Sequence, residues 1–404
     1  MEKIKDKVRV GLIGLGARGM GILGPMLLEN PEKVIVRAVC DVYEDRCREA
    51  ADKTVAAGQE RPFATTDYHE VLARTDVDAV LIVCSWESHV RVALDAMRAD
   101  KPVGMEVGGA YSVEECYELV RVQEATGTPF MFLENCCYGR REMMVMNMVS
   151  GGLLGDIVHC SGSYEHDLRS EIVYGRENRH YRLRNYIHRN CENYPTHELG
   201  PIAQILGINR GNRMLSLTST ASRPAGLHEY VAAHKPEDEE LLRTEFRQGA
   251  VVTTVIRCAG GETIRLTLGT TLPRFYSRNF TVCGTRGMYE ENSDSVFLDA
   301  REDMRRTEWN WKTQFGNAAT FEGEWEHPVW RDFLSDGLRG GHGGMDWLVY
   351  NVFFDCLLEG KPFPIDVYDA AAWMAITPLS EQSIACGSMP MAIPDFTNGA
   401  YLLR

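Results

Sequence analysis

The chain has no long apolar run. No stretch approaches the roughly twenty apolar residues that a membrane-spanning helix needs, which excludes a helical membrane protein. Basic residues are in deficit, 43 Lys and Arg against 57 Asp and Glu, and the formal charge of -14 excludes nucleic acid and anionic membrane surfaces as partners. Twelve cysteines are present but none forms a CxxC pair, and Cys40, Cys84, Cys258 and Cys283 sit within apolar, strand-like segments. Cys136 and Cys137 are adjacent, a poor arrangement for a bridge or a tetrahedral metal site, so reduced structural thiols are expected. No closely spaced set of His, Asp and Glu stands out, and no metal is expected. A charged-then-apolar leader with a small-residue cleavage site is also missing, which sets the expectation of a cytoplasmic protein. There is no internal repeat and no low-complexity segment.

What is present begins with Val8 to Ile13, an aliphatic run ending in Gly14-Leu15-Gly16-Ala17-Arg18-Gly19, with a helix-compatible stretch to Glu29. This is the strand, turn and helix that a dinucleotide fingerprint requires. Gly14 permits the tight turn, Gly16 lets the backbone approach a pyrophosphate, and Gly19 lets helix and strand pack closely. The anion would rest on the unpaired N–H groups at the helix start. Val34 to Cys40 reads as a second strand, and Asp41 at its end is placed to bind the adenosine ribose hydroxyls and repel a 2′-phosphate, which favours NAD over NADP. The alternative is that Asp41 merely caps the helix that follows from Tyr43.

With 404 residues, 44% hydrophobic and 25% charged, two domains are expected. Helices over Tyr43–Ala57, Glu87–Arg98 and Ser112–Thr126 alternate with apolar strands over Val77–Cys84, Pro102–Val107 and Pro129–Glu134. Ser112 and Glu115 make a capping box. The alternation means a parallel sheet covered on both faces, a Rossmann domain over residues 1–136. After a helix over Arg141–Ser150, strand-like segments follow at Ile157–Tyr164, Met214–Thr220, Ala250–Arg257, Thr263–Thr270 and Asn279–Cys283. They predict an α+β substrate-binding domain over 137–404 with a large, mostly antiparallel sheet, in an α/β protein. Acidic Pro236–Glu240 reads as a solvated loop.

Ligands of open parallel sheets sit outside the carboxyl ends of the strands. Three such ends carry candidates: Trp86 and His89 after Cys84, Glu106, and Glu134-Asn135, with Asn135 able to bond a carboxamide or ribose. Trp86 reads equally as core and His89 as a capping residue. The second domain holds a denser set in Tyr164 to Arg169, Tyr181 to Arg184 and Glu192 to Pro201. Pro195 and Pro201 bracket a helix start with His197 in its first turn, where a helix amino end keeps histidine neutral and fit for a general base. Alone, His197 reads more readily as a structural hydrogen-bonder. Arg274 to Arg278 and Gly341 to Asp346 add polar groups in loops.

Tyr164-x-His166-Asp167-Leu168-Arg169, Asn193-Tyr194-Pro195-Thr196-His197-x-Leu199-Gly200-Pro201, Ile208-Asn209-Arg210-Gly211, Gly341-His342-Gly343-Gly344-Met345-Asp346 and Ile365-Asp366-Val367-Tyr368-Asp369 resemble glycoside hydrolase family 109. That family of NAD-dependent α-N-acetylgalactosaminidases lies in the Gfo/Idh/MocA superfamily, which the first domain resembles. Superfamily dehydrogenases carry Glu-Lys-Pro where this chain has Glu106-Val107-Gly108. Family 109 also shows Glu-Val there, commonly with proline next, so Gly108 is a departure.

The resemblance implies cofactor contacts at Arg18, Gly19, Asp41, Trp86, His89, Glu106, Val107, Asn135 and Tyr194. It implies sugar contacts at Tyr164, Arg182, Tyr194, Pro195, Thr196, His197 and Tyr276. The implied reaction removes a terminal N-acetylgalactosamine or related hexose by transient oxidation at carbon 3, elimination and water addition, with NAD regenerated in each turnover. In that scheme His197 is the base for the carbon 3 hydroxyl. Tyr164 or Tyr276 takes the carbon 2 proton, with Arg182 favouring the phenolate, and Tyr194 bridges cofactor and sugar. The resemblance also implies a homo-oligomer. The alternatives are a sugar or polyol oxidoreductase with net NAD(H) turnover, and a non-catalytic NAD-binding sensor, against which the Tyr/Arg/His cluster argues.

Overall fold

Val8, Val10 and Leu12 have no exposed surface, because β1 (Val8–Ile13) lies inside a parallel sheet with structure on both faces. The computed structural model describes residues 3–4, 6–305 and 308–404. Around β1 stand β2 (Val34–Cys40), β3 (Phe63–Thr65), β4 (Ala79–Ile82), β5 (Val103–Met105) and β6 (Phe130–Phe132), in the order β3-β2-β1-β4-β5-β6. The strand order reverses between β1 and β4, which opens the crevice where a doubly wound sheet takes its ligand. β3, which the sequence reading passed over, is a three-residue edge strand paired with Ala38–Cys40. The capping box forms as expected: Ser112 Oγ accepts from Glu115 N (3.1 Å) and Glu115 Oε2 from Ser112 N (3.3 Å).

The chain divides into two compact units, residues 1–135 with 337–371, and residues 136–336 with 372–404. The sequence reading placed everything after residue 136 in the second domain; by compactness, 337–371 fold with the first. The helix Met345–Glu359 explains the return. Leu348, Val349, Tyr350, Phe353, Phe354 and Leu357 on it are buried. Phe353 lies over β5, where a Cβ on Gly104 would stand 3.2 Å from its ring. Farther on, Ile365 accepts a hydrogen bond from the N–H of Phe132 (3.0 Å).

In the second unit an eight-stranded sheet runs β13-β12-β11-β7-β10-β9-β8-β14. Its strands are β7 (Ile157–Glu165), β8 (Met214–Ala221), β9 (Val252–Cys258), β10 (Thr263–Gly269), β11 (Thr281–Gly284), β12 (Gly287–Glu290), β13 (Ser295–Leu298) and β14 (Met391–Ala392). All pairings are antiparallel except β7 with β10. Buried and open residues alternate along β9, the period of a sheet with one face on the core. The helix Thr196–Ile205 packs on β7, where a Cβ on Gly162 would stand 3.3 Å from Ile202 Cδ1. The acidic stretch after Pro236 is not wholly loop: Asp238 accepts from the N–H of Leu241 (2.9 Å) and starts a short helix, Glu239–Arg243. Among the described residues, no helix is long and apolar enough to cross a membrane.

Candidate functional site

In the first unit the glycine turn closes onto two strands. Gly14 adopts φ +102, and a Cβ there would lie 2.4 Å from Cys84 N. Its N–H donates to Cys40 O (2.7 Å). A Cβ on Gly19 would strike Gly14 O at 2.0 Å, so helix and turn approach closer than any other residue allows. Gly16 by contrast faces open space, its nearest neighbour being Arg46 Nη1 at 3.7 Å. Asp41 accepts from Leu15 N (2.7 Å) and Tyr43 N (3.0 Å). The following helix is Glu44–Ala56 with Tyr43 at its cap position, so the Asp41 carboxylate is directed to the glycine turn as well as to the helix entry.

Trp86 opens the helix Trp86–Arg98 and is buried. A Cβ on Gly108 would meet its indole at 2.4 Å, which accounts for glycine at the position where the family commonly has proline. His89 Nε2 lies 2.8 Å from Cys84 O, so that nitrogen carries the proton. Burial pushes the imidazole down to about 4, against the Cys84 carbonyl, and keeps it neutral. Its Nδ1 is therefore a bare acceptor, and no donor among the described residues reaches it. Val107 is buried and apolar.

Arg18 and Glu106 meet directly, Arg18 Nη2 donating to Glu106 Oε1 at 2.6 Å. Arg18 Nη1 donates to Asp346 Oδ2 (2.7 Å), and Asn135 Nδ2 to Asp346 Oδ1 (2.7 Å). Tyr350 donates to Glu106 Oε1 (2.9 Å), and His342 Nδ1 lies 2.8 Å from Asp346 Oδ2. Asp346 and Tyr350 carry no role in the sequence reading. Their signal is the i, i+4 spacing that puts both on one helix face directly after the Gly341–Gly344 run.

These residues fit a dinucleotide. The turn leaves room for a pyrophosphate only at Gly16, Asp41 stands at the mouth of the turn, and two buried acceptors, His89 Nδ1 and Asn135 Oδ1, have no donor among the described residues.

The second unit gathers the aromatic candidates. Tyr164, on β7, lies 4.5 Å from Tyr194, 5.6 Å from His197 and 6.4 Å from Tyr276, between ring centroids. Tyr194 Oη and His197 Nε2 are 3.2 Å apart. Pro195 is the cap residue of the helix Thr196–Ile205, Thr196 is fully buried, and His197 is only partly so. Pro201 lies inside that helix rather than at its boundary, and lacks an N–H for the carbonyl of His197.

Arg182 is nearly buried, with its guanidinium 5.4 Å from the Tyr194 ring and 3.1 Å from Glu171 Oε1. Burial would loosen its proton, but Tyr164, Tyr181 and Glu171 outweigh that and hold it charged. Tyr276 has a half-exposed ring. Burial at its hydroxyl end and neighbouring Cys136 push its ionisation well above that of an ordinary phenol, although Arg278 opposes this. His166, quoted in the motif but given no role, completes the group: its Nδ1 is 3.4 Å from Tyr164 Oη, and its ring centroid lies 5.3 Å from that of Tyr276.

Residues 138–403 match the model of the glycosyl hydrolase 109 C-terminal domain, and residues 8–133 match that of the oxidoreductase family with NAD-binding Rossmann fold. The chain belongs to glycosyl hydrolase family 109. As a member of family 109, it is an NAD-binding glycosidase on the Gfo/Idh/MocA framework. It is 36% identical to a family 109 protein of Stenotrophomonas maltophilia, covering 98% of this chain and 91% of the relative. It is 35% identical to a Tannerella forsythia protein named alpha-N-acetylgalactosaminidase, covering 100% of this chain and 89% of that one. Among solved structures, a levoglucosan dehydrogenase in complex with NADH and levoglucosan shares the fold with a TM-score of 0.68 at 17% identity, covering 96% of this chain and 100% of the other. An inositol dehydrogenase homolog from Azotobacter vinelandii, complexed with NADH and myo-inositol, does so with a TM-score of 0.65 at 15% identity, covering 96% and 98%.

Proposed function

We propose that this chain hydrolyses terminal α-N-acetylgalactosaminides, with NAD seated at the Gly14–Gly19 turn and the sugar held by the Tyr164, Tyr194, His197 and Arg182 group. NAD, when bound, would supply a reversible hydride acceptor for carbon 3 of the sugar. His197 accepts the proton of the carbon 3 hydroxyl, with Tyr194 at 3.2 Å fixing its ring. A ketone at carbon 3 acidifies the hydrogen on carbon 2, which Tyr164 removes. The enolate expels the aglycone from carbon 1, water adds there, and Tyr164 returns the proton to carbon 2.

The observation that carries this reading is the cluster of Tyr164, Tyr194 and His197, whose ring centroids lie 4.5 to 5.6 Å apart beside charged, buried Arg182. Tyr276, whose hydroxyl resists ionisation, serves instead as a hydrogen-bond donor to the sugar. Pro195 and Thr196 set the backbone that carries His197.

The test is to incubate the protein with aryl α-N-acetylgalactosaminides in deuterium oxide, following aglycone, NADH absorbance and label at carbon 2. Aglycone release with deuterium at carbon 2 and no accumulating NADH is expected. Stoichiometric NADH with an intact glycosidic bond would overturn the proposal in favour of a sugar oxidoreductase.

A further inference from the structure

We infer that Asp346 is a positioning residue for the cofactor: it fixes the Asn135 amide so that Asn135 offers its ligand an acceptor, and the ligand must answer with a hydrogen-bond donor. The inference rests on the proposed seat for NAD and extends it to a residue outside the nucleotide-binding half.

An asparagine amide is ambiguous, since its oxygen and nitrogen differ in role but hardly in shape, and only its neighbours decide which way it turns. Asp346 decides it here. Burial would raise that carboxyl, but hydrogen bonds from His342 and Arg18 outweigh burial and hold it far below the usual carboxylate range. An ionised carboxylate only accepts, so the Asn135 amine must face it, as the 2.7 Å contact to Oδ1 shows. Asn135 Oδ1 then points elsewhere, buried, with no donor among the described residues. An acceptor left in that state costs stability, and a bound donor would remove the cost.

Asp346 is itself held from both sides. Arg18 reaches both of its oxygens, at 2.7 and 3.0 Å. His342 closes the turn from φ +51, followed by Gly343 at +64 and Gly344 at +104. Left-handed backbone at three successive residues is uncommon and persists where surrounding contacts demand it. The turn and Arg18 together hold the carboxylate against Asn135.

NAD carries two donors that suit the role, the carboxamide amine and a ribose hydroxyl. The experiment titrates full-length protein with NAD and with 3-acetylpyridine adenine dinucleotide, which keeps the ribose but lacks the amine. Asp346→Asn is nearly isosteric and can donate to Asn135 Oδ1, turning the amide over. We expect NAD to bind at least tenfold more weakly to this variant. A loss confined to NAD assigns the amine, and an equal loss with the analogue assigns the ribose hydroxyl; both support the inference.

In an Asn135→Ala background, Asp346→Asn should cost nothing further. Affinity for NAD within twofold of wild type in Asp346→Asn overturns the inference, and so does an undiminished loss in the double variant. Melting without ligand checks that each variant folds. If Asp346→Asn does not fold, Asn135→Ala alone decides: it must weaken NAD binding tenfold, and wild-type affinity overturns the inference. Failure of the wild-type protein to bind NAD would instead sink the seat itself.

Discussion

Gly162 and Glu198 touch through the place where a side chain would be. A Cβ on Gly162 would stand 2.9 Å from Glu198 Cβ and 3.3 Å from the Glu198 carbonyl oxygen. Glycine at this point of β7 lets the helix that carries His197 press onto the strand that carries Tyr164. Gly162→Ala should push helix and strand apart by a few tenths of an ångström. We expect a loss of about 1–3 kcal/mol in stability and a fall in kcat, with affinity for NAD unchanged. Melting, NAD titration and turnover check this together; wild-type melting and turnover would show that the contact does not set the spacing.

His197 and Tyr164 are assigned to different steps, so their variants should fail differently. His197→Ala should lower kcat by about 10²- to 10⁴-fold while binding NAD near normally, and no reduced nicotinamide should form when substrate is added. Tyr164→Phe should still reduce the cofactor yet release no aglycone, so its reduced-nicotinamide absorbance should rise to one equivalent and stay. Normal aglycone release by Tyr164→Phe would remove Tyr164 as the carbon 2 base.

Gly108 meets the indole of Trp86 along a whole edge, with a built Cβ at 2.4 Å from Cδ1, 2.7 Å from Nε1 and 3.0 Å from Cγ. Gly108→Ala should displace Trp86 and weaken NAD binding severalfold. Adding Trp86→Phe, which shortens the edge, should recover part of that loss. If Gly108→Ala binds NAD as wild type does, Trp86 is core and not part of the cofactor seat.

Glu192, two residues before Tyr194, is fully buried. Its N–H donates to Ser380 Oγ (2.8 Å) and its carbonyl accepts from Thr377 (2.8 Å). Burial pushes its carboxyl up to about 8, although the N–H of Tyr194 pulls the other way. The folded state therefore holds this proton more tightly than the unfolded chain, where the ordinary value is 4.5. The stability that follows is fully present below that ordinary value and is lost as pH rises through about 8. Glu192→Gln should flatten this slope, melting higher than wild type at alkaline pH and no higher in acid. A wild-type melting curve that is level across this window would refute the assignment.

Much of the first unit was legible because buried parallel strands are written as unbroken aliphatic runs, and β1, β2 and β4 are such runs. The edge strand Phe63–Thr65 was not, since three residues after a proline carry no period. Val107 and the Tyr194–His197 motif were legible as departures from a dehydrogenase pattern. The bond between Asn135 and Asp346 was not, because 211 residues separate them and nothing local in either segment names the other. Tyr276 illustrates a further limit. The resemblance implies a sugar contact there, but only the folded surroundings of its hydroxyl show that burial raises its ionisation.

The first unit is assembled from two separated stretches of the chain, residues 1–135 and 337–371, and the Arg18–Asp346 pair spans 328 residues. On the ribosome, the fingerprint turn emerges early but lacks the carboxylate that seats its arginine. At about 5–20 residues per second, the roughly two hundred intervening residues take on the order of 10–40 s to appear. During that interval the amino-terminal sheet lacks the Met345–Glu359 helix and leaves the apolar ground beneath it uncovered. The usual order, in which the first domain folds as it is made, does not hold here: the cofactor-binding half is completed only after residues 136–336 have been made.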